Sequence, residues 1–490
     1  LNRSAYGKLD RNLRPYIPYL CGLVLRPLQL GVQRAPLTYP ALIASCFRAA
    51  CFSGGGWVAP FIVLFQRLAA LVFLAKARFS VDSMSKQKYF FLILILGSLT
   101  ALGPFSIDMY LPGFPAIAKD LNTTAAKVAL SLSSFFIGIS AGQLLYGPLL
   151  DRFGRKKPLY AGLVLYIAAS AGCAAIHTID GLIALRFVQA VGSCAAGVAS
   201  VAMVRDLFPV KDSAKVFALL MLVVGLSPMV APTVGSYFTE AFGWPSVFLT
   251  LGVMGALMLV ACVLWLPDTY TPDTSLSLKP LPILTNFWSV LREPQFYTYT
   301  FAGAMAFCGL FAYVADSPLV FMDIFKVSTK TYGWIFAFLS IGLIGSSQVN
   351  SYLLRRFQSE QLVFWALVCQ VITALVFLLL TLNGWIGLGG TIALLFVFLC
   401  CLGFSNPNTS ALSLAPFTRN AGSASALLGA IRMSMGALAS MGVSVFSNHT
   451  AIPMVAIMTA TSVLALLILV LGRQTIKEQV AVSDMMEPVH

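Results

Sequence analysis

The stretch Gly147-Pro-Leu-Leu-Asp151-Arg152-Phe-Gly154-Arg155-Lys156-Lys157-Pro-Leu159 separates two apolar runs, 126–148 and 159–177. Each run has roughly the twenty residues that a helix needs to cross hydrocarbon. The basic side chains and Asp151 are therefore confined to a turn between two membrane spans. Gly147 and Gly154 permit close approach and a tight turn. Asp151, at a helix end, can bridge to a neighbouring helix terminus or to an arginine. Arg152, Arg155 and Lys156 can lock to acids on adjacent elements and hold a gate in one state. A loop that is basic only because it faces the cytoplasm would explain the Arg and Lys. It would not explain both glycines with Asp151 at this spacing.

Working outward, the same kind of apolar block recurs along the chain. Of 490 residues, 58% are hydrophobic and 10% charged, with mean hydropathy +0.85. A soluble domain cannot cover its surface with so little charge, whereas a bilayer protein needs charge only at loops and in a working cavity. Strand-like alternation is absent, so helices satisfy the backbone in lipid. The blocks predict an all-α membrane protein of about twelve transmembrane helices, at 89–112, 126–148, 159–177, 182–204, 215–238, 246–267, 296–320, 331–353, 361–382, 386–408, 421–446 and 452–472. A Pro-, Thr- and Ser-rich break at 268–295 divides them six and six. The expected organisation is a six-helix bundle over 84–267, a cytoplasmic linker over 268–295, a second six-helix bundle over 296–472 and a cytoplasmic tail over 473–490. The two bundles are pseudo-symmetric: Leu149-Leu150-Asp151-Arg152-Phe153 ends span two as Leu353-Leu354-Arg355-Arg356-Phe357 ends span eight.

Residues 1–83 differ in character. Their only acids are Asp10 and Asp82, and no apolar pattern persists before 57–79, which holds Arg67. They are expected to be a non-native extension before Met84, with a disordered tail or an extra membrane-associated helix as alternatives. With the N-terminus inside, Lys86, Lys88, Arg152, Arg155, Lys156, Lys157, Arg205, Arg355, Arg356 and Arg473 fall on the inner side. The outer side holds Lys119, Lys127, Lys326 and Lys330. The positive-inside rule then puts both termini in the cytoplasm. It also accounts for the formal charge of +14 without nucleic acid.

The quoted loop resembles the major facilitator signature G-x-L-x-D-R-x-G-R-K-x-x-L at every fixed position. Leu185-Arg186-Phe-Val-Gln189-Ala190-Val-Gly192 resembles the R-x-x-Q-G motif of that superfamily, with Ala190 where glycine is usual. Gly225-Leu-Ser-Pro228-Met-Val-Ala231-Pro232-Thr-Val-Gly235 looks like a weakened antiporter motif, Ala231 and Ser236 replacing two glycines. With Pro104-Phe-Ser-Ile-Asp108-Met109-Tyr110-Leu-Pro112, these segments resemble the bicyclomycin and chloramphenicol resistance branch of drug:proton antiporters. The resemblance implies a bacterial inner-membrane protein that exports small molecules, drugs among them, against proton entry by alternating access. A nutrient symporter, an exporter of a single metabolite and a non-transporting sensor are the alternatives.

Ionised groups at bilayer depth are expensive, which makes each a functional candidate. Asp108 in span one, Arg186 in span four and Asp316 in span seven are expected at similar depth and are assigned to proton coupling. A carboxylate in a restricted cavity holds its proton more tightly without water, and an adjacent arginine opposes this. A static Asp108–Arg186 pair is the structural alternative. Arg432, midway along span eleven, is either a cavity residue or an interhelical bond. The cavity wall is expected to include Phe105, Met109, Tyr110, Phe136, Gln143, Gln189, Tyr313, Asn350, Asn406 and Asn408. Ser134, Gly138 and Gly142 read as a packing stripe. No phosphate-binding G-x-x-x-x-G-K-[ST] loop or metal-ligand cluster is present in the sequence, so neither enzyme activity, a metal nor a cofactor is expected. The partners expected are a small-molecule substrate, protons and membrane lipid. Because two bundles already enclose a cavity, a monomer is expected.

Overall fold

The computed structural model describes residues 86–208, 210–267, 270, 272, 280–417, 421–447 and 450–476. The expected extension 1–83 and most of the tail lie outside them. Among the described residues twelve helices are long and apolar enough to cross a bilayer: Tyr89–Asp120, Ala125–Phe153, Lys156–Ala175, Ile179–Leu207, Leu219–Phe242, Pro245–Trp265, Pro294–Ile324, Thr329–Leu353, Ser359–Leu382, Leu388–Leu414, Ala421–Val445 and Ile452–Arg473. They are called spans one to twelve below.

Local chemistry sets where the spans begin and bend. Thr124, Thr178 and Ser328 lie just before spans two, four and eight, and each accepts a hydrogen bond from a backbone N–H three residues on. A hydroxyl in that place satisfies a donor that the first turn cannot pair. Span one runs longer than its apolar block. Its first helix ends at Asp108, a 3-10 turn covers Leu111–Gly113, and a short helix follows over Phe114–Asp120. Pro112 and Pro115 lack the N–H that would continue the helix and fix φ for a new start. Span seven passes Pro318 and finishes in a π-helical segment, Leu319–Ile324.

Spans one to six pack mainly on one another, and so do spans seven to twelve. The halves meet chiefly where span two lies along span eleven and span five along span eight. Lipid provides little hydrophobic drive between helices, so close packing of small residues carries association. The Ser134, Gly138, Gly142 stripe shows this. Ser134 Oγ donates to the Ile183 carbonyl at 2.8 Å, while Gly138 faces Phe187 and Ala190, and Gly142 faces Cys194. The break 268–295 is more than a linker, because it contains the helix Pro280–Leu291.

Candidate functional site

A cavity of ≈ 860 Å³ opens between the halves at the end that carries the quoted loop. Its walls come from span one (Thr100, Gly103, Pro104, Ile107), span two (Ile139, Gln143, Gly147, Asp151), span four (Ser193 to Asp206), the helix Pro280–Leu291 and span eleven (Gly422 to Met433). The far end is closed by contacts between the halves. Ser133 Oγ donates to Ser440 Oγ at 2.8 Å, Ser140 Oγ donates to the Ala430 carbonyl at 2.9 Å, and the rings of Phe136 and Phe311 meet at 4.3 Å. On the other seam Thr233 Oγ1 donates to the Gly333 carbonyl at 3.4 Å, and Lys330 pairs with Glu240 at 3.1 Å. The molecule is therefore open at the loop end and shut at the other.

The loop residues form the rim of this opening. Gly154 has φ +82°, a left-handed conformation that suits glycine. It turns the chain between span two and Arg155, which opens onto span three. Arg155 Nε donates to Asp206 Oδ2 at 2.7 Å and Nη1 to Asp151 Oδ1 at 2.6 Å. Its guanidinium stacks on Tyr270 at 3.9 Å. Burial works against the charge of Arg155, but the bonds to Asp206 and Asp151 outweigh it and raise its pKa. This cluster ties the ends of spans two and four to Tyr270, just after span six. Arg152 lies over the Phe153 ring at 5.9 Å, and Lys156 opens span three. A Cβ on Gly147 would meet open space, because that face of span two borders the cavity.

Asp108 follows Ile107, the last span-one residue on the cavity wall. It is 5% exposed. Among the described residues its carboxylate makes no ion pair or hydrogen bond, and Tyr313 and Tyr332 of the second half lie within its electrostatic reach. Asp316 is equally enclosed, at 6% exposed, and likewise has no partner among the described residues. Beside it, Ser317 Oγ and Tyr332 Oη are 2.8 Å apart, and the buried Tyr313 hydroxyl has no partner among the described residues.

Arg186 is fully buried and is not ion-paired to Asp108. Its Nη1 donates to Gln189 Oε1 at 2.6 Å and its Nη2 to the Ser106 carbonyl at 2.9 Å. Gln189 Nε2 donates to Ser170 Oγ at 2.7 Å, Ser170 Oγ to the Tyr166 carbonyl at 2.7 Å, and Tyr166 Oη lies 2.8 Å from Ser106 Oγ. The guanidinium also sits 4.2 Å from the Tyr110 ring centre and 4.1 Å from that of Phe135. Carbonyl dipoles and aromatic faces thus hold the cation where a carboxylate was an alternative. The physical effect is to fasten span one, two residues before Asp108, to spans three and four.

The other candidates fall in several places. Gln143 lines the cavity where it narrows, against Gly429 of span eleven. Met109, Tyr110, Phe136, Gln189 and Tyr313 are buried in packing, while Phe105, Asn406 and Arg432 are half-buried. Asn408 Nδ2 donates to Asn350 Oδ1 at 2.7 Å, both buried. Arg432 Nη2 donates to Thr409 Oγ1 at 3.2 Å, which bonds span eleven to span ten. In the span-five motif, Gly225 has loose contact with Ile344. A Cβ on Gly235 would overlap the Met109 carbonyl. Pro228 lies between these glycines on the same helix, and the Pro232 carbonyl faces Gly333 of span eight.

The profile of the Major Facilitator Superfamily matches residues 96–440. The chain belongs to the Major Facilitator Superfamily. It is 33% identical over 391 residues to the bicyclomycin resistance protein homolog of Haemophilus influenzae, covering 78% of this chain and 96% of that protein. It is 34% identical over 380 residues to the uncharacterized MFS-type transporter YdgK of Bacillus subtilis, covering 76% and 93%. A crystal structure of a bacterial homologue of the human lysosomal transporter Spinster, inward-facing and occupied, matches at 14% identity with TM-score 0.63, over 80% of this chain and 98% of that chain. That match is a likeness of fold. The chain is thus a multi-pass membrane transporter, as the loop resemblance implied.

Several working parts of this major facilitator protein were missed in the sequence. Asp206 carries the second bond to Arg155, and its signal was an acid at the basic-loop end of span four. Ser106, Tyr166 and Ser170 complete the Arg186 network, and Ser133, Ser140 and Ser440 join the halves. Serine and tyrosine are common in spans, so their types alone did not single them out.

Proposed function

We propose that the chain exports small molecules, drugs among them, across a bacterial inner membrane in exchange for protons, without chemically altering them. The basic loops and both chain ends then face the cytoplasm, and the conformation described is open to the cytoplasm. The observation that carries this reading is Asp108, a carboxylate with no partner among the described residues, enclosed immediately beyond the last span-one residue of the cavity wall. Desolvation favours the neutral form of a carboxyl group and access to water its ionised form. A carboxylate at the point where the two halves part can therefore load from one side and unload to the other. Asp316 would be a second proton site or a contact for a cationic cargo. Arg186 would position the Asp108 segment rather than pair with its charge. The likeness to a bicyclomycin resistance protein homolog supports drugs as cargo, and the enclosure of one cavity by two halves of one chain supports a monomer.

The test uses inverted vesicles from cells lacking their main drug pumps. The lumen is acidified by respiration and followed with a pH-sensitive dye. Adding bicyclomycin, chloramphenicol or ethidium should release luminal protons in vesicles carrying this chain. Vesicles carrying Asp108→Asn should insert the protein equally well and show no release. Retained release in that variant would remove Asp108 from the mechanism. Proton movement in the same direction as the cargo would replace antiport by symport.

A further inference from the structure

The helix Pro280–Leu291 carries two apolar stripes. At about 100° per residue, Ile283, Asn286, Phe287 and Val290 share one side, the i, i+3, i+4, i+7 pattern of a packed face. That side is occupied. Ile283, Asn286 and Phe287 line the cavity, and Asn286 Nδ2 donates to Ser423 Oγ at 2.8 Å. Val290 is fully buried with Phe296, Ala424 and Leu428. Leu281, Leu284 and Trp288, spaced three and four apart, form the second stripe and are 72%, 60% and 56% exposed. Thr285 and Ser289 make a narrow exposed polar strip beside it.

We propose that this second stripe is seated in the membrane leaflet at the basic-loop face, so that the helix is the wall between that leaflet and the mouth of the cavity. Its depth supports a lipid partner. Only Arg292 and Glu293 separate Leu291 from Pro294, where span seven begins. Three residue steps span at most about 10 Å, and Val290 already packs on Phe296 in the first turn of that span. The headgroup band on each side of the hydrocarbon is about 5–7 Å deep, so the helix lies where a bilayer boundary must be. Charge agrees as well. The Arg292 guanidinium sits 5.3 Å from the Trp288 ring centre, which places an indole at headgroup level with a cation available to lipid phosphate. Through Ser423 and Val290 the helix is fastened to the second half, so it moves with that half as the cavity opens and closes. One consequence rests on the exporter reading: apolar cargo dissolved in this leaflet meets the cavity mouth across a single helix.

The test is nitroxide accessibility in the full chain, reconstituted in vesicles of phosphatidylethanolamine and phosphatidylglycerol. Labels are placed at Leu281→Cys, Leu284→Cys, Thr285→Cys and Ser289→Cys, one at a time, with the other accessible cysteines replaced by alanine. Oxygen, which concentrates in lipid, should outweigh a water-soluble nickel chelate several-fold at 281 and 284. The ratio should fall several-fold at 285 and 289. A chelate that reaches 281 and 284 as readily as 285 and 289 would put the stripe in water and overturn the proposal. If the unmodified chain releases no protons with any compound while the labels show the expected pattern, the exporter reading fails and the lipid seat stands.

Discussion

Gly333 offers the sharpest perturbation of the closed end. It lies just past the first turn of span eight and faces span five across the seam between the halves. A Cβ at this position would lie 3.1 Å from Thr233 Cα, 3.2 Å from Ser236 Oγ and 3.4 Å from the Pro232 carbonyl oxygen. Two of these three neighbours are backbone and cannot rotate away. Alanine would already be tight, and the branched valine would add two further methyl groups. Overpacking of this kind costs about 1–3 kcal/mol. The cost falls only on the conformation in which spans five and eight touch, because the clashing atoms belong to opposite halves. Any gain in helix propensity from losing a glycine applies to both conformations and cancels. Gly333→Val should therefore shift the population away from closure at this end by about 5- to 150-fold, since about 1.4 kcal/mol is a factor of ten. Nitroxides at Glu240→Cys and Lys330→Cys report the opening, because these residues are paired at 3.1 Å when the end is closed. The distance distribution should gain a long component in Gly333→Val and a smaller one in Gly333→Ala. An unchanged distribution in a folded Gly333→Val protein would show that the seam has slack which the packing does not reveal, and the argument would fail.

Further outcomes follow from the two arginine networks. Arg186→Met should lower stability by about 2–6 kcal/mol, since the Ser106 carbonyl and Gln189 Oε1 lose their donor in a dry site. Thermal unfolding in detergent would show it, and a methionine variant as stable as the parent would mean that the network holds nothing. Asp206→Asn should cost about 1–2 kcal/mol by weakening a charge-assisted bond to Arg155. Asp151→Asn should cost less, because the Asp151 side chain is 46% exposed against 17% for Asp206 and solvent screens the pair. Equal losses in the two variants would contradict that ranking.

The sequence by itself determined everything that the bilayer demands locally. A span must be apolar over its own length, so hydropathy placed all twelve, and Thr124, Thr178 and Ser328 start their helices through bonds reaching only three residues. The loop Gly147–Leu159 was legible for the same reason, since Gly154 turns the chain where it stands. Its partner Asp206 lies fifty residues away on another span, and only packing brings the two together. The helix Pro280–Leu291 did leave a local trace, Ile283, Phe287 and Val290 at helical spacing, but it was obscured by the prolines and polar residues around it. Tertiary structure alone decided that Arg186 bonds the Ser106 carbonyl instead of Asp108, because helix rotation, which hydropathy does not encode, sets the direction of each side chain. It also decided that Phe136 meets Phe311 across the closed seam and Gln143 faces the cavity, while Tyr110, Gln189, Tyr313, Asn350 and Asn408 pack or bond within their own halves. Which end of the cavity is open depends on how two rigid halves lean on each other, and a sequence that must permit both leanings cannot specify one.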